Sequence, residues 1–270
     1  MNPSKDRPHP GVCWLSWLLL FAGWEAAMAA VPDLAGVYDF PGGVYSELDP
    51  GLGELKPINN HGDEATAHLV PWARAKMEAS ADYSAIDDYG AVCGPTGFFR
   101  LPTTIVGYMV LQSPTQIWLV SMSLAEVGVR RVYLTDKHPR TLRPSWNGHS
   151  IGHFEGDTLV VDTVGFNDKS WLGSELQPHT EELHVVEYIK TVKEGRYLEI
   201  RSVIDDRKAL TGPYTYTRYY KRVDKPYEAV EYGCNQDADS QETWAHMRDE
   251  AIKQFDINRQ NSQSTGEKTQ

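Results

Sequence analysis

Between residues 101 and 234 the chain is a succession of short runs of β-branched and aromatic residues, each closed by a polar turn, and no other feature constrains the fold as much. The runs are 104–111, 115–122, 128–135, 150–154, 158–164, 183–192, 196–205, 214–222 and 227–234. Gln112-Ser113-Pro114, Glu155-Gly156-Asp157 and Lys193-Glu194-Gly195 lie between successive runs, and turns this short join antiparallel neighbours. An earlier segment, 32–40, alternates in the same way, with Leu34, Gly36, Tyr38 and Phe40 on one face, so ten strands are expected. Such a set closes as an antiparallel up-and-down barrel around a cavity, and we favour this over a two-sheet sandwich.

Between the first strand and the meander the alternation lapses. Residues 41–89 are rich in Gly, Pro, Asp and Asn, with one helix expected over 71–81, where Pro71 suits a first helical position. We read this stretch as a long loop and helix excursion packed over the sheet. After the last strand a helix-like stretch, 241–255, gives way to a polar tail, 258–270, expected to be disordered. No linker or repeat divides 30–257, which reads as a single barrel domain.

The N-terminus speaks to compartment. Lys5 and Arg7 precede an apolar run from Val12 to Trp24, and Ala27-Met28-Ala29 supplies a small-residue cleavage site, so residues 1–29 read as a signal peptide. The run is short for a bilayer span, which takes about 20 residues, and no later stretch is comparable. The expected product is therefore periplasmic or secreted, with no membrane span after cleavage. The leader carries two charges of each sign, so the net charge of −11 belongs to the remainder. That excess of carboxylates, with the basic residues scattered along strands, argues against nucleic acid as a partner. Cys93 and Cys234 survive cleavage, an even number in an oxidising compartment, and are expected to form a disulfide.

Residues 144–168, PSWNGHSIGHFEGDTLVVDTVGFND, resemble the signature of a large bacterial family of exported proteins. Trp171-Leu172, Pro178-His179-Thr180-Glu181, Asp205-Asp206 and Cys234 continue the likeness, which spans about residues 33 to 234. Phe154 stands where the family usually has Trp, and Arg207 where Pro is common. The resemblance implies a lipocalin-like barrel and brings no reaction with it. The opening Asp33-Leu34-Ala35-Gly36-Val37-Tyr38 is also similar to the Gly-x-Trp start of lipocalin barrels, with Tyr38 in place of Trp.

Polar residues gather on a few strands and links: His138, His149, His153, Asp162, Asn167, Asp168, His179, Glu181, His184 and Glu187. His179 and Glu181 fall in an irregular link, where an imidazole beside a carboxylate can exchange a proton, and are the preferred acid and base. His149 and Asp162 are further catalytic candidates. His149 and His153 share a strand face but sit about 13 Å apart, too far to share a metal ion on a straight strand, and no metal site is expected. Asp162 alternates with Leu159, Val161 and Thr163, so an outward side chain is the simpler expectation. Glu155-Gly156-Asp157 reads as a hairpin turn and Asn167-Asp168 as an Asx-type turn. Gly148-His149-Ser150-Ile151-Gly152 has the letters of a nucleophile elbow without the helix that must follow one. Trp118, Tyr133, Trp146, His153 and Trp171 are candidates to line a pocket.

With no dinucleotide fingerprint, phosphate loop or Cys-based metal pattern, no cofactor is implied. These readings point to an exported barrel enzyme performing cofactor-independent acid–base chemistry, of lyase, isomerase, cyclase or hydratase type, on a hydrophobic cyclic or aromatic molecule. The alternatives are a non-catalytic periplasmic small-molecule-binding protein in the same fold and an envelope interaction module.

Overall fold

Alternation along the strands sorts the side chains onto two surfaces, and the inner one closes on itself. The structure, a computed structural model, describes residues 31–39, 50–54, 61–81, 95–97, 107–121, 128–173, 175–224 and 253. Nine strands are found among them: β1 (Gly36–Asp39), β2 (Tyr108–Gln112), β3 (Gln116–Ser121), β4 (Val129–Tyr133), β5 (His149–Glu155), β6 (Thr158–Val164), β7 (His184–Val192), β8 (Tyr197–Asp205) and β9 (Tyr214–Arg222). Each lies beside its sequence neighbours, and β1 pairs with both β2 and β9 to complete a closed barrel. The barrel expected from the meander is therefore present. The tenth expected strand, 227–234, lies outside the described residues, as do the tail and all of 241–255 except Lys253.

One pairing differs from the expectation. β4 and β5 run parallel, in register at Val132–Ser150 and Tyr133–Ile151, while the other neighbours are antiparallel. An odd number of strands in sequence order cannot alternate in direction all the way around a ring, so one neighbouring pair must be parallel. Parallel strands cannot be joined by a tight hairpin. The connection 134–148 accordingly runs back along the barrel before β5 begins.

The inner surface is largely apolar, with Val110, Ile117, Leu119, Val132, Leu159, Val161, Ile189, Leu198 and Ile200 buried. It also encloses a charged pair. Arg130 meets Glu187 in an ion pair, and its guanidinium donates to Ser150 Oγ at 2.9 Å and Thr163 Oγ1 at 2.8 Å. Burying two charges costs several kcal/mol each, and mutual pairing with added hydrogen bonds offsets that cost.

Among the described residues the insertion after β1 holds a 3-10 turn (Pro50–Leu52) and two α-helices, α1 (His61–His68) and α2 (Pro71–Ala81). The second has the bounds expected from sequence. The first was expected only as irregular chain, because its apolar content is two alanines, yet Asp63 and Glu64 in its first turn and His68 in its last suit the helix dipole. Ala65, Leu69 and Ala73 join the buried cluster of the barrel. The backbone between the helices hydrogen-bonds the β8–β9 connection, with Val70 N donating to Ala209 O at 3.0 Å and Thr211 N to His68 O at 2.7 Å.

The disulfide expectation is corrected. Among the described residues no cysteine pair stands at disulfide distance, and Cys93 and Cys234 themselves both lie outside those residues. No helix among the described residues is long and apolar enough to cross a membrane.

Candidate functional site

The parallel seam opens the barrel wall. Pairing of β4 with β5 begins only at Val132, so Val129, Arg130 and Arg131 extend past the start of β5 and face Asn147, Gly148 and His149. Asn147 Nδ2 donates to Val129 O at 3.3 Å across the gap. A groove of about 390 Å³ results, lined by Trp118, Arg131, Tyr133 and His149 on the outside and by Arg130 toward the interior. A second groove, about 470 Å³, lies on the other side of Tyr133 and His149 and is lined by Gln116, Thr135 and Lys137.

Strand parity puts these residues together. Trp118 and Arg131 are cross-strand partners on β3 and β4, and the guanidinium lies 4.1 Å from the indole centre. Arg131 Nη1 donates to Tyr133 Oη at 3.1 Å. The Tyr133 ring stacks on His149, with centres 5.0 Å apart and planes 10° from parallel. Aromatic faces held this way accept planar groups, and both grooves are lined without a single carboxylate. Neither Arg131 nor Lys137 forms an ion pair among the described residues.

Behind His149 stands a chain of titratable groups on the outer surface. The connection 134–148 folds back so that His138 Nδ1 lies 2.9 Å from His149 Nδ1. His138 Nε2 lies 2.9 Å from Asp162 Oδ1, and His184 Nε2 lies 2.9 Å from Asp162 Oδ2. Both imidazoles therefore donate to one carboxylate. The hydrogen bond from His184, aided by His138, holds the Asp162 carboxyl below its ordinary range against the opposing effect of burial. The same bond raises His184. Burial, with His138 alongside, lowers His149. Among the described residues no group of three or more His, Cys, Asp and Glu is disposed to hold a metal ion.

The remaining sequence candidates lie elsewhere. His179 is buried, its Nε2 2.8 Å from Ser170 Oγ and its Nδ1 3.1 Å from Thr180 O, while Glu181 is exposed. With both ring nitrogens so engaged, the two do not form a hydrogen-bonded pair. Thr180 is instead pinned by Asp206, which accepts from its N at 2.6 Å and its Oγ1 at 2.9 Å. Trp171 is buried beneath Lys76, whose Nζ lies 5.1 Å from the ring centre. His153 is exposed and 3.0 Å from Glu155. Trp146 is half-buried and lines neither groove.

No protein-family model matches the chain, and no curated protein matches it. The site must be read from its own geometry.

His149, Asp162, Trp118 and Tyr133 were singled out from sequence and converge here. His138 and His184 stood in the wider polar set without a role, and Arg131 and Lys137 carried no signal. Parity holds the clue for His184: it alternates with buried Val185, Glu187 and Ile189 as Asp162 does with buried Leu159, Val161 and Thr163, which places both on the outer face of neighbouring strands.

Proposed function

We propose that this protein is an exported binding protein that holds a small cyclic or aromatic molecule in the groove at the β4–β5 seam. One observation carries the reading: Trp118, Arg131, Tyr133 and His149 present stacked planar faces and a cation around an open groove that no carboxylate lines. All four stand on paired strands, so the groove needs no folding step to accept its ligand. The leader-like N-terminus supports the extracytoplasmic setting. The hydrogen bonds around His179 support a structural role there, holding the link before β7.

Calorimetric titration with benzoate, 2-naphthoate and cyclohexane carboxylate tests the proposal. The planar acids are expected to bind more tightly than the saturated ring. Tyr133→Ala is expected to weaken 2-naphthoate by about tenfold, equivalent to about 1.4 kcal/mol. Affinity for the acids that survives Tyr133→Ala and Trp118→Ala unchanged would place the ligand elsewhere and sink the reading.

A further inference from the structure

We propose that the seam groove takes weakly acidic ring compounds, phenols or enols, and binds them as anions by moving their proton to His149. The inference rests on the groove being a ligand site and names what that site selects.

The polarity of the hydrogen-bond chain makes His149 the acceptor. Asp162 offers both carboxylate oxygens, so His138 must donate from Nε2 and His184 from Nε2. A neutral His138 that carries its proton on Nε2 presents a bare Nδ1, and at 2.9 Å His149 must then donate from its own Nδ1. That assignment leaves the lone pair of His149 on Nε2, which has no partner among the described residues, while the ring lines both grooves. When a hydroxylated ring enters, its O–H bond breaks and an N–H bond forms at His149 Nε2. The Nδ1 proton of His149 shifts to His138 Nδ1, and the positive charge comes to rest on His138 against the Asp162 carboxylate. Electrons and protons balance with no further reactant.

The charged groups around His149 favour this outcome. Arg131 and Tyr133 face it from β4, His138 and Lys137 from the connection 134–148, and Asp162 from β6, with His184 on β7 behind. Arg130 lines the same groove from the interior side, already engaged with Glu187. An oxyanion in the groove therefore meets cations, and the carboxylate sits on the far side of the imidazoles, where it stabilises the displaced proton. The lowered proton affinity of His149 keeps it neutral and ready before the ligand arrives.

The test uses 4-nitrophenol, whose phenolate is coloured, and 4-nitroanisole, its methyl ether, with the protein lacking residues 1–29. At a pH one unit below the phenol's own pKa, about nine-tenths of the free probe is protonated. Bound probe is expected to show the phenolate spectrum at that pH, a shift of more than tenfold in the ionisation ratio. His149→Gln is expected to abolish the shift, and Asp162→Asn, as a positioning change, to reduce it while the circular dichroism spectrum stays that of the unaltered protein. If both probes bind and the phenol keeps its proton, or if His149→Gln shifts it equally, proton transfer to His149 is overturned and the binding groove stands. If neither probe binds, groove and proton transfer fall together.

Discussion

Asp162 divides its two oxygens between His138 and His184, and within the same cluster His184 is raised while His149 is lowered. His184 is raised above 6.5 by its bond to Asp162, so the stability it contributes is fully present below pH 6.5 and is lost as pH rises through its folded value. Asp162 is lowered below 3.8, so its contribution is present above that pH and is lost as pH falls through its folded value. The pair is therefore strongest between about pH 4 and 6.5. His149, lowered, works in the opposite sense to His184, since below pH 6.5 the unfolded chain takes up its proton more readily. With the Asp162 and His184 side chains 39% and 42% exposed, solvent screening holds their pair to the surface range, about 0 to 1 kcal/mol. The sharper readout is spectroscopic. Proton NMR titration of the imidazole Cε1–H resonances is expected to place His184 above 6.5 and His149 below it. Asp162→Asn should lower His184 toward 6.5, and a His184 midpoint unmoved by that change would show that the carboxylate is not its cause. None of this pairing was visible from spacing alone: Asp162 and His184 are 22 positions apart and meet only because β6 and β7 pair in one particular register.

At the scale of the element, the seam depends on a backbone that only glycine adopts easily. Gly148 has φ +64°, and a Cβ built there would stand 2.9 Å from Val164 O, 2.9 Å from Thr163 Cγ2 and 3.0 Å from Phe166 Cε1. Gly156, in the β5–β6 turn, has almost the same φ, +63°, with nothing within 4 Å. Comparing the two separates backbone strain from crowding. Gly156→Ala is expected to cost about 1 kcal/mol, the ordinary penalty for a side chain in the left-handed region. Gly148→Ala should cost about 2 to 3 kcal/mol, because immovable backbone adds to that strain. Urea denaturation of the two variants checks this, and equal midpoints would mean that the seam relaxes freely around an added methyl. The same comparison shows what could be read beforehand. Glu155-Gly156-Asp157 declared a hairpin between flanking alternation, and β6 falls at the bounds read from sequence, Thr158–Val164. The fifteen residues of 134–148 hold no such local signature, since their path is set by which strand β5 pairs with. The groove lies where local pattern and long-range pairing part company.

For the whole molecule, closure is the decisive event, and it falls to a four-residue strand. β1 is the shortest strand described, yet it covers the edges of both β2 and β9. Its hold comes from side chains as much as from the ladder. Arg222 Nη1 donates to Ala35 O at 2.9 Å and Nη2 to Tyr38 Oη at 2.6 Å, while Tyr38 Oη donates to Leu34 O at 2.9 Å. From the other side Leu34 N donates to Gln112 Oε1 at 3.0 Å, and Gln112 Nε2 to Pro32 O at 2.8 Å. The alternation of 32–40 announced a strand facing a core. It could not announce that this strand joins the two ends of the meander, because closure depends on total strand count and shear. A chain beginning at Val31 retains every one of these contacts and is expected to unfold in one cooperative transition. A chain beginning at Pro41 loses the closing strand, empties the buried sites of Leu34 and Tyr38, and exposes two unpaired edges that template association. It should lose most of its denaturation midpoint or elute as aggregate in size-exclusion chromatography. If instead it remained monomeric with an unchanged midpoint, β2 and β9 would have to be stable as free edges, and the barrel would owe its stability to the β5–β9 meander alone.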